Sequence, residues 1–106
     1  MFIAIYSFKV KKNNEENFIK AWEDLTELIY RYEGSLGSRL HRADDNEFIA
    51  YAQWPDRETW KNSGDRLPPE ADIARKKMRE ACEEVKTIHE LESISDLLKS
   101  DISQLK

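Results

Sequence analysis

The chain has 106 residues, 36% of them charged, and a formal net charge of -4. That length suits one domain and one core, burying about two-thirds of the unfolded chain's surface, and it leaves little room for an enclosed ligand cavity unless a second copy helps to build it. The acidic balance argues against a nucleic-acid partner, because no basic patch can be assembled within it, and no apolar run approaches the roughly 20 residues that cross a bilayer.

The first stretch, Phe2–Val10, alternates as a strand does. Phe2, Ala4, Tyr6, Phe8 and Val10 share one face, and Ile3, Ile5, Ser7 and Lys9 the other. Both faces are apolar over the first half, so both are expected to be covered. It shows no signal-peptide layout. Lys11–Asn14 is a polar turn, with Asn13 or Asn14 placed to cap a helix whose first turn carries Glu15 and Glu16 at the favoured end of the helix dipole. Phe18, Trp22, Leu25, Ile29 and Tyr32 then recur at helical spacing, widened by Ala21 and Leu28. The ordinary reading of such an aromatic stripe is the core-facing side of a helix, which Gly34 ends as a C′ glycine.

Next comes a hairpin. Leu36–Arg42 and Glu47–Trp54 read as strands around the turn Ala43-Asp44-Asp45-Asn46, and Pro55 stops the second. Asp56 is placed to cap a short helix, Arg57–Asn62, that carries Trp60 and ends at Gly64. After the rigid Asp65–Pro69 loop a third helix is expected from Pro69 to about Glu84. Ala71, Ala74, Met78, Ala81, Cys82 and Val85 form its apolar stripe. Its other side holds Arg75, Lys76, Lys77 and Arg79, the chain's one concentrated positive run, for which a solvated helix face is the ordinary explanation. Cys82 is the only cysteine; it reads as a small buried core residue in a reducing, cytoplasmic setting.

Val85–Ser93 fits a strand and also a helical period. A fourth strand is the better reading, since without it one edge of the first strand stays bare. A bulge is expected near Glu90–Glu92. Ser95–Lys106 reads as a short C-terminal helix or tail, with Leu98, Ile102 and Leu105 on one side. The order β, α, β, β, α, β gives a ferredoxin-like α+β fold, a four-stranded antiparallel sheet with helices on one face. Helices cover only that face, yet Ile3, Ile5, Ile49 and Tyr51 point to the other. The simplest cover is a second copy of the chain packed sheet to sheet, so a homodimer is expected.

The segment Asn17–Trp60 resembles the antibiotic biosynthesis monooxygenase family. The resemblance rests on the helix ending Tyr32-Glu33-Gly34, the strand Leu36-Gly37-Ser38-Arg39-Leu40-His41-Arg42, and Phe48–Trp54 closing on Trp-Pro-Asp-Arg-Glu-Thr-Trp. It implies a ferredoxin-like protomer and a dimeric α/β barrel. Its best-known members oxidise phenolic, multi-ring substrates with molecular oxygen and no metal or flavin, so the resemblance implies no cofactor. Such a site needs an apolar pocket and a donor for a phenolate-type anion. Tyr6, His41 and Tyr51 are the candidate catalytic groups, and Arg39, Trp54 and Trp60 the candidate substrate contacts. Alternation places Tyr6 and Tyr51 on different faces. For each candidate a plainer role stands beside the functional one: interface or core for the tyrosines, packing for Trp54, a solvated edge for Arg39 and His41.

A second branch of that superfamily degrades haem. It uses an Asn on the first strand, a Trp on the helix after the third strand and a His on the next helix as iron ligand. Here those positions fall at Tyr6 or Ser7, near Ser63 with Trp60 one turn away, and on a helix without histidine, which disfavours haem degradation. Two distant histidines, His41 and His89, and one cysteine give no metal-site spacing. Two readings remain: a small cofactor-independent monooxygenase acting on an aromatic or quinone-like compound, and a non-catalytic dimeric module for ligand or protein binding. The first needs a closed pocket holding a tyrosine hydroxyl or histidine nitrogen; the second predicts that pocket packed shut by Trp54, Trp60 and Phe8.

Overall fold

The structure, a computed structural model, describes residues 1–99. Its elements are β1 (Phe2–Val10), α1 (Glu15–Tyr32), β2 (Ser38–Asp44), β3 (Glu47–Trp54), α2 (Arg57–Lys61), α3 (Glu70–Glu80) and β4 (Cys82–Glu92). The sheet order is β2-β3-β1-β4, antiparallel throughout, with helices on one face. β1 is paired on both edges, Tyr6 lying opposite Ala50 of β3 and Thr87 of β4. This is the ferredoxin-like βαββαβ architecture expected from the sequence.

Alternation along β1 and β3 decides what each face buries. Phe2, Ala4, Phe8 and Val10 are buried beneath the helices with Phe48, Ala50, Ala52 and Trp54. Phe18 of α1 is fully buried between Phe8 and Phe48, its ring 5.0 and 5.2 Å from theirs. Ala21 and Leu25 continue the α1 stripe, and Ala71, Ala74 and Met78 bring α3 down beside it. Alanines dominate the facing positions, which lets the helices approach closely. On the opposite face Ile3 is buried and Ile5, Ser7, Ile49, Tyr51 and Gln53 are half-buried, with no helix of the described residues over them.

The local signals account for most element ends. Asn14 occupies the N-cap of α1, but its side-chain amide donates back to the Lys12 carbonyl at 3.1 Å. Asn13 takes the left-handed conformation that asparagine tolerates. Gly34 follows α1 at φ 79°. β2 begins two residues later than the sequence suggests because Gly37 also lies at positive φ, although Leu36 and Gly37 already pair with Gln53. The hairpin turn is tighter than expected, Asp45-Asn46 alone, with Ala43 bulged out of the ladder. Asp56 caps α2 as expected, accepting from Thr59 N at 2.7 Å and from its hydroxyl at 2.8 Å.

Three expectations are corrected in the C-terminal third. The third helix stops at Glu80 rather than near Glu84, because Ala81 accepts from Lys11 N and Cys82 pairs with Val10. The open edge of β1 captures residues whose spacing alone continues a helix. β4 is bulged at Glu83 and Ile88, not near Glu90–Glu92. Over residues 95–99 the expected C-terminal helix is absent; its remainder lies outside the described residues. Cys82 is buried at the start of β4, and burial pushes its thiol up to about 11, which keeps it protonated and unreactive. Among the described residues no helix is long and apolar enough to cross a membrane.

Candidate active site

Between the sheet and the helices the chain leaves a cavity of about 380 Å³, lined by β1, β3 and β4 from below and by α1 and α3 from above. The hollow is partly open rather than enclosed, and it is not packed shut. The alanines explain it: Ala50 and Ala52 form part of its floor, where larger side chains would fill the space. Trp22, Leu25, Ile29, Trp54 and Met78 make its walls apolar, within the size range of small-molecule sites.

Tyr6 is the polar group at the centre of this arrangement. Its ring lines the cavity, and with Thr87 it also borders a neighbouring hollow formed by Arg57, Trp60, Lys61, Ser63 and Glu90. Trp60 Nε1 donates to Tyr6 Oη at 2.7 Å. The phenol oxygen accepts there, so its own hydrogen remains to be donated, and no acceptor for it is found among the described residues. Burial raises the phenol above its ordinary value, opposed by the Trp60 bond and reinforced by the Glu90 charge. Tyr6 is thus a neutral donor at physiological pH, oriented from behind. Trp60 is itself held against the Phe2 ring, 5.0 Å away.

Trp54 is 3% exposed and packs with Phe2, Ala4 and Ala52 while lining the cavity. Its Nε1 is buried without a hydrogen-bond partner among the described residues. So Tyr6, Trp54 and Trp60 come together on the helical side of the sheet. Arg39, His41 and Tyr51 do not join them. Arg39 lies opposite Tyr51 and His41 opposite Ile49 on the other face, near the β2 edge, and Tyr51 Oη donates to Gln53 Oε1 at 3.3 Å. The two sets of candidates are separated by the thickness of the sheet.

Several lining residues escaped the sequence reading. Thr87 and Val85 enter the cavity only because β4 pairs with β1 where it does. Arg75 and Arg79 border the cavity from α3, one turn apart. Their signal was available, since both flank the Ala71–Met78 stripe, but an arginine beside an apolar stripe usually snorkels to water. Among the described residues no group of three or more His, Cys, Asp or Glu is placed to hold a metal ion.

The sequence pattern of the antibiotic biosynthesis monooxygenase family matches residues 1–66, the part that supplies β1, α1, the hairpin and α2. The chain belongs to that family. Solved structures of the same fold include SnoaB, a cofactor-independent oxygenase from Streptomyces nogalater. It is similar over 92% of this chain and 97% of its own at 16% identity, with a TM-score of 0.72. A Nitrosomonas europaea protein with the same family description is similar over 90% of this chain and all of its own, at 17% identity and a TM-score of 0.72. No curated protein matches the chain in sequence. At such identities these likenesses speak for the fold. Within the antibiotic biosynthesis monooxygenase fold, the chemistry has to be argued from the residues that surround Tyr6.

Proposed function

We propose that this antibiotic biosynthesis monooxygenase family member is a cofactor-independent monooxygenase acting on an aromatic, phenol-type small molecule. The observation that carries the reading is that Tyr6, a residue lining the cavity, has its hydroxyl held by Trp60 and no acceptor for its hydrogen among the described residues. A phenol whose ring can pass electrons to oxygen serves as its own reductant. One atom of dioxygen enters the ring as a carbonyl and the other leaves as water, so phenol and dioxygen give quinone and water. Charge builds on oxygen along the way. A neutral, pre-oriented donor stabilises that charge with little reorganisation. Trp54 supplies an aromatic wall for the ring, and Trp60 positions Tyr6. The likeness to SnoaB, itself a cofactor-independent oxygenase, supports the same direction.

In this reading Arg39, His41 and Tyr51 serve the open face of the sheet, which we assign to a second copy of the chain. Oxygen uptake with a panel of polycyclic phenols tests the proposal. Tyr6→Phe keeps the ring and removes the donor, and is expected to lower kcat about a hundredfold. His41→Ala is expected to leave it within about twofold, as for a group outside the machinery. Uptake by Tyr6→Phe equal to that of the unaltered chain would overturn the role of Tyr6. Absence of uptake with every phenol, in a protein that still binds them, would favour the ligand-binding module instead.

A further inference from the structure

The cavity beside Tyr6 is cationic in an otherwise acidic molecule. Two of its lining residues are arginines, Arg75 and Arg79, and none is Asp or Glu. Four other hollows each carry at least one carboxylate: Asp24 and Glu80, Asp56 and Glu92, Glu23, and Glu90. With a net charge of -4, a pocket bordered by two cations and no anion stands apart from these four hollows of the described residues. Neither arginine is held by a close ion pair among the described residues. Arg75 Nη1 lies 3.7 Å from Asp72 Oδ1, beyond hydrogen-bond distance, and the Asp72 side chain is 84% exposed. Arg79 forms no ion pair among the described residues.

Placement fits ligand recognition better than solvation. Residues four apart on a helix project from one face, and here that face borders the cavity together with Met78. Lys76 and Lys77 of the same basic run lie outside its lining. Two guanidiniums beside an apolar pocket attract an anion more strongly than they do in open water. The planar fork of each matches a carboxylate or an equivalent planar oxyanion.

We infer that the aromatic ligand carries a carboxylate or equivalent planar oxyanion, which Arg75 and Arg79 hold at the α3 lip while the ring lies beside Tyr6. This rests on the reading of the cavity as an aromatic substrate site. It adds a specificity opposite to that of apolar walls alone, which favour a neutral amide over an ionised acid because desolvating an unpaired charge is costly.

Calorimetric titration of the full chain with a hydroxynaphthoate and with its primary amide tests the inference, because the two probes share a shape and differ in charge. The acid is expected to bind about tenfold more tightly than the amide, the size of one net charge-assisted contact. Replacing both arginines (Arg75→Gln with Arg79→Gln) is expected to abolish that preference while leaving amide affinity unchanged, which also shows that the variant folds. Lys76→Gln, on the same helix outside the cavity, is expected to keep it. Equal affinity for the two probes in the unaltered chain, or a preference that survives the double replacement, overturns the assignment while the aromatic site stands. Binding of neither probe overturns the aromatic site as well.

Discussion

Trp60 Nε1 donates into a phenol oxygen, and such a bond favours the phenolate over the phenol. Burial nonetheless dominates and keeps Tyr6 protonated. Replacing Trp60 by Phe keeps a ring for Phe2 to pack against and removes the donor. The Tyr6 titration is then expected to move further upward, since the one contact that lowers it is gone. Carbon NMR of tyrosines labelled at Cζ, with Tyr6→Phe assigning the signal, reads this directly, and a midpoint that does not rise would refute the bond. Glu33 is the opposite kind of buried group. It is fully buried, and its carboxylate accepts from Arg66 N at 2.9 Å and Nε at 3.2 Å. Burial acts to raise its titration, but backbone N–H groups of Arg66 and Gly64 and the Arg66 guanidinium hold it below the ordinary 4.5. A lowered carboxyl contributes stability above 4.5 that is lost as pH falls through its folded value. Glu33→Gln is therefore expected to cost about 2 kcal/mol near neutrality, with the gap narrowing below pH 4.5. Urea unfolding of both proteins across that range measures it.

At the scale of elements, what the chain announces locally it forms. β1, α1, the hairpin, the Asp56 cap and the Gly34 stop all follow from alternation, helical spacing and turn chemistry within a few residues. Gly34 illustrates why. It sits at φ 79°, and a Cβ there would lie 3.3 Å from Thr59 Cγ2 of α2, so the position excludes a side chain on two grounds. Gly34→Ala is expected to destabilise by roughly 1–2 kcal/mol, and thermal unfolding checks it. The helix-to-strand change at Ala81–Cys82 was not legible, because Cys82 and Val85 extend the period of α3. Pairing with the bare edge of β1, at the other end of the chain, decides that segment, and no local pattern records such a partner. The bulges at Glu83 and Ile88 are of the same kind, since register belongs to two strands at once.

For the whole molecule, the two faces of the sheet tell different amounts. That both would need covering was readable from Ile3, Ile5, Ile49 and Tyr51. That the helical side would retain a cavity was not, because its volume depends on how Ala50, Ala52 and Met78 sit opposite Trp22 and Ile29. The candidate site was legible in part for the same reason. Tyr6, Trp54 and Trp60 are conspicuous residue types that converge, whereas Arg75, Arg79 and Thr87 acquire meaning only from the elements facing them. The proposed pairing of two copies through the open face predicts a dimer by sedimentation at micromolar concentration, and Ile49→Lys, which places a charge at the centre of that face, is expected to shift it to a 12.5 kDa protomer. A protomer in the unaltered chain would remove the pairing without touching the cavity.

The donor that orients Tyr6 arrives on a short surface helix. α2 spans five residues and contains no buried residue, and its start is fastened by the Asp56 carboxylate. Such a segment opens at a free energy far below that of global unfolding. Each opening withdraws the indole from the phenol while the sheet and its cavity stay intact. Under the proposed role of Tyr6, the competent fraction is expected to follow this local equilibrium, and amide exchange at Thr59 and Trp60 is expected to track it more closely than any melting temperature.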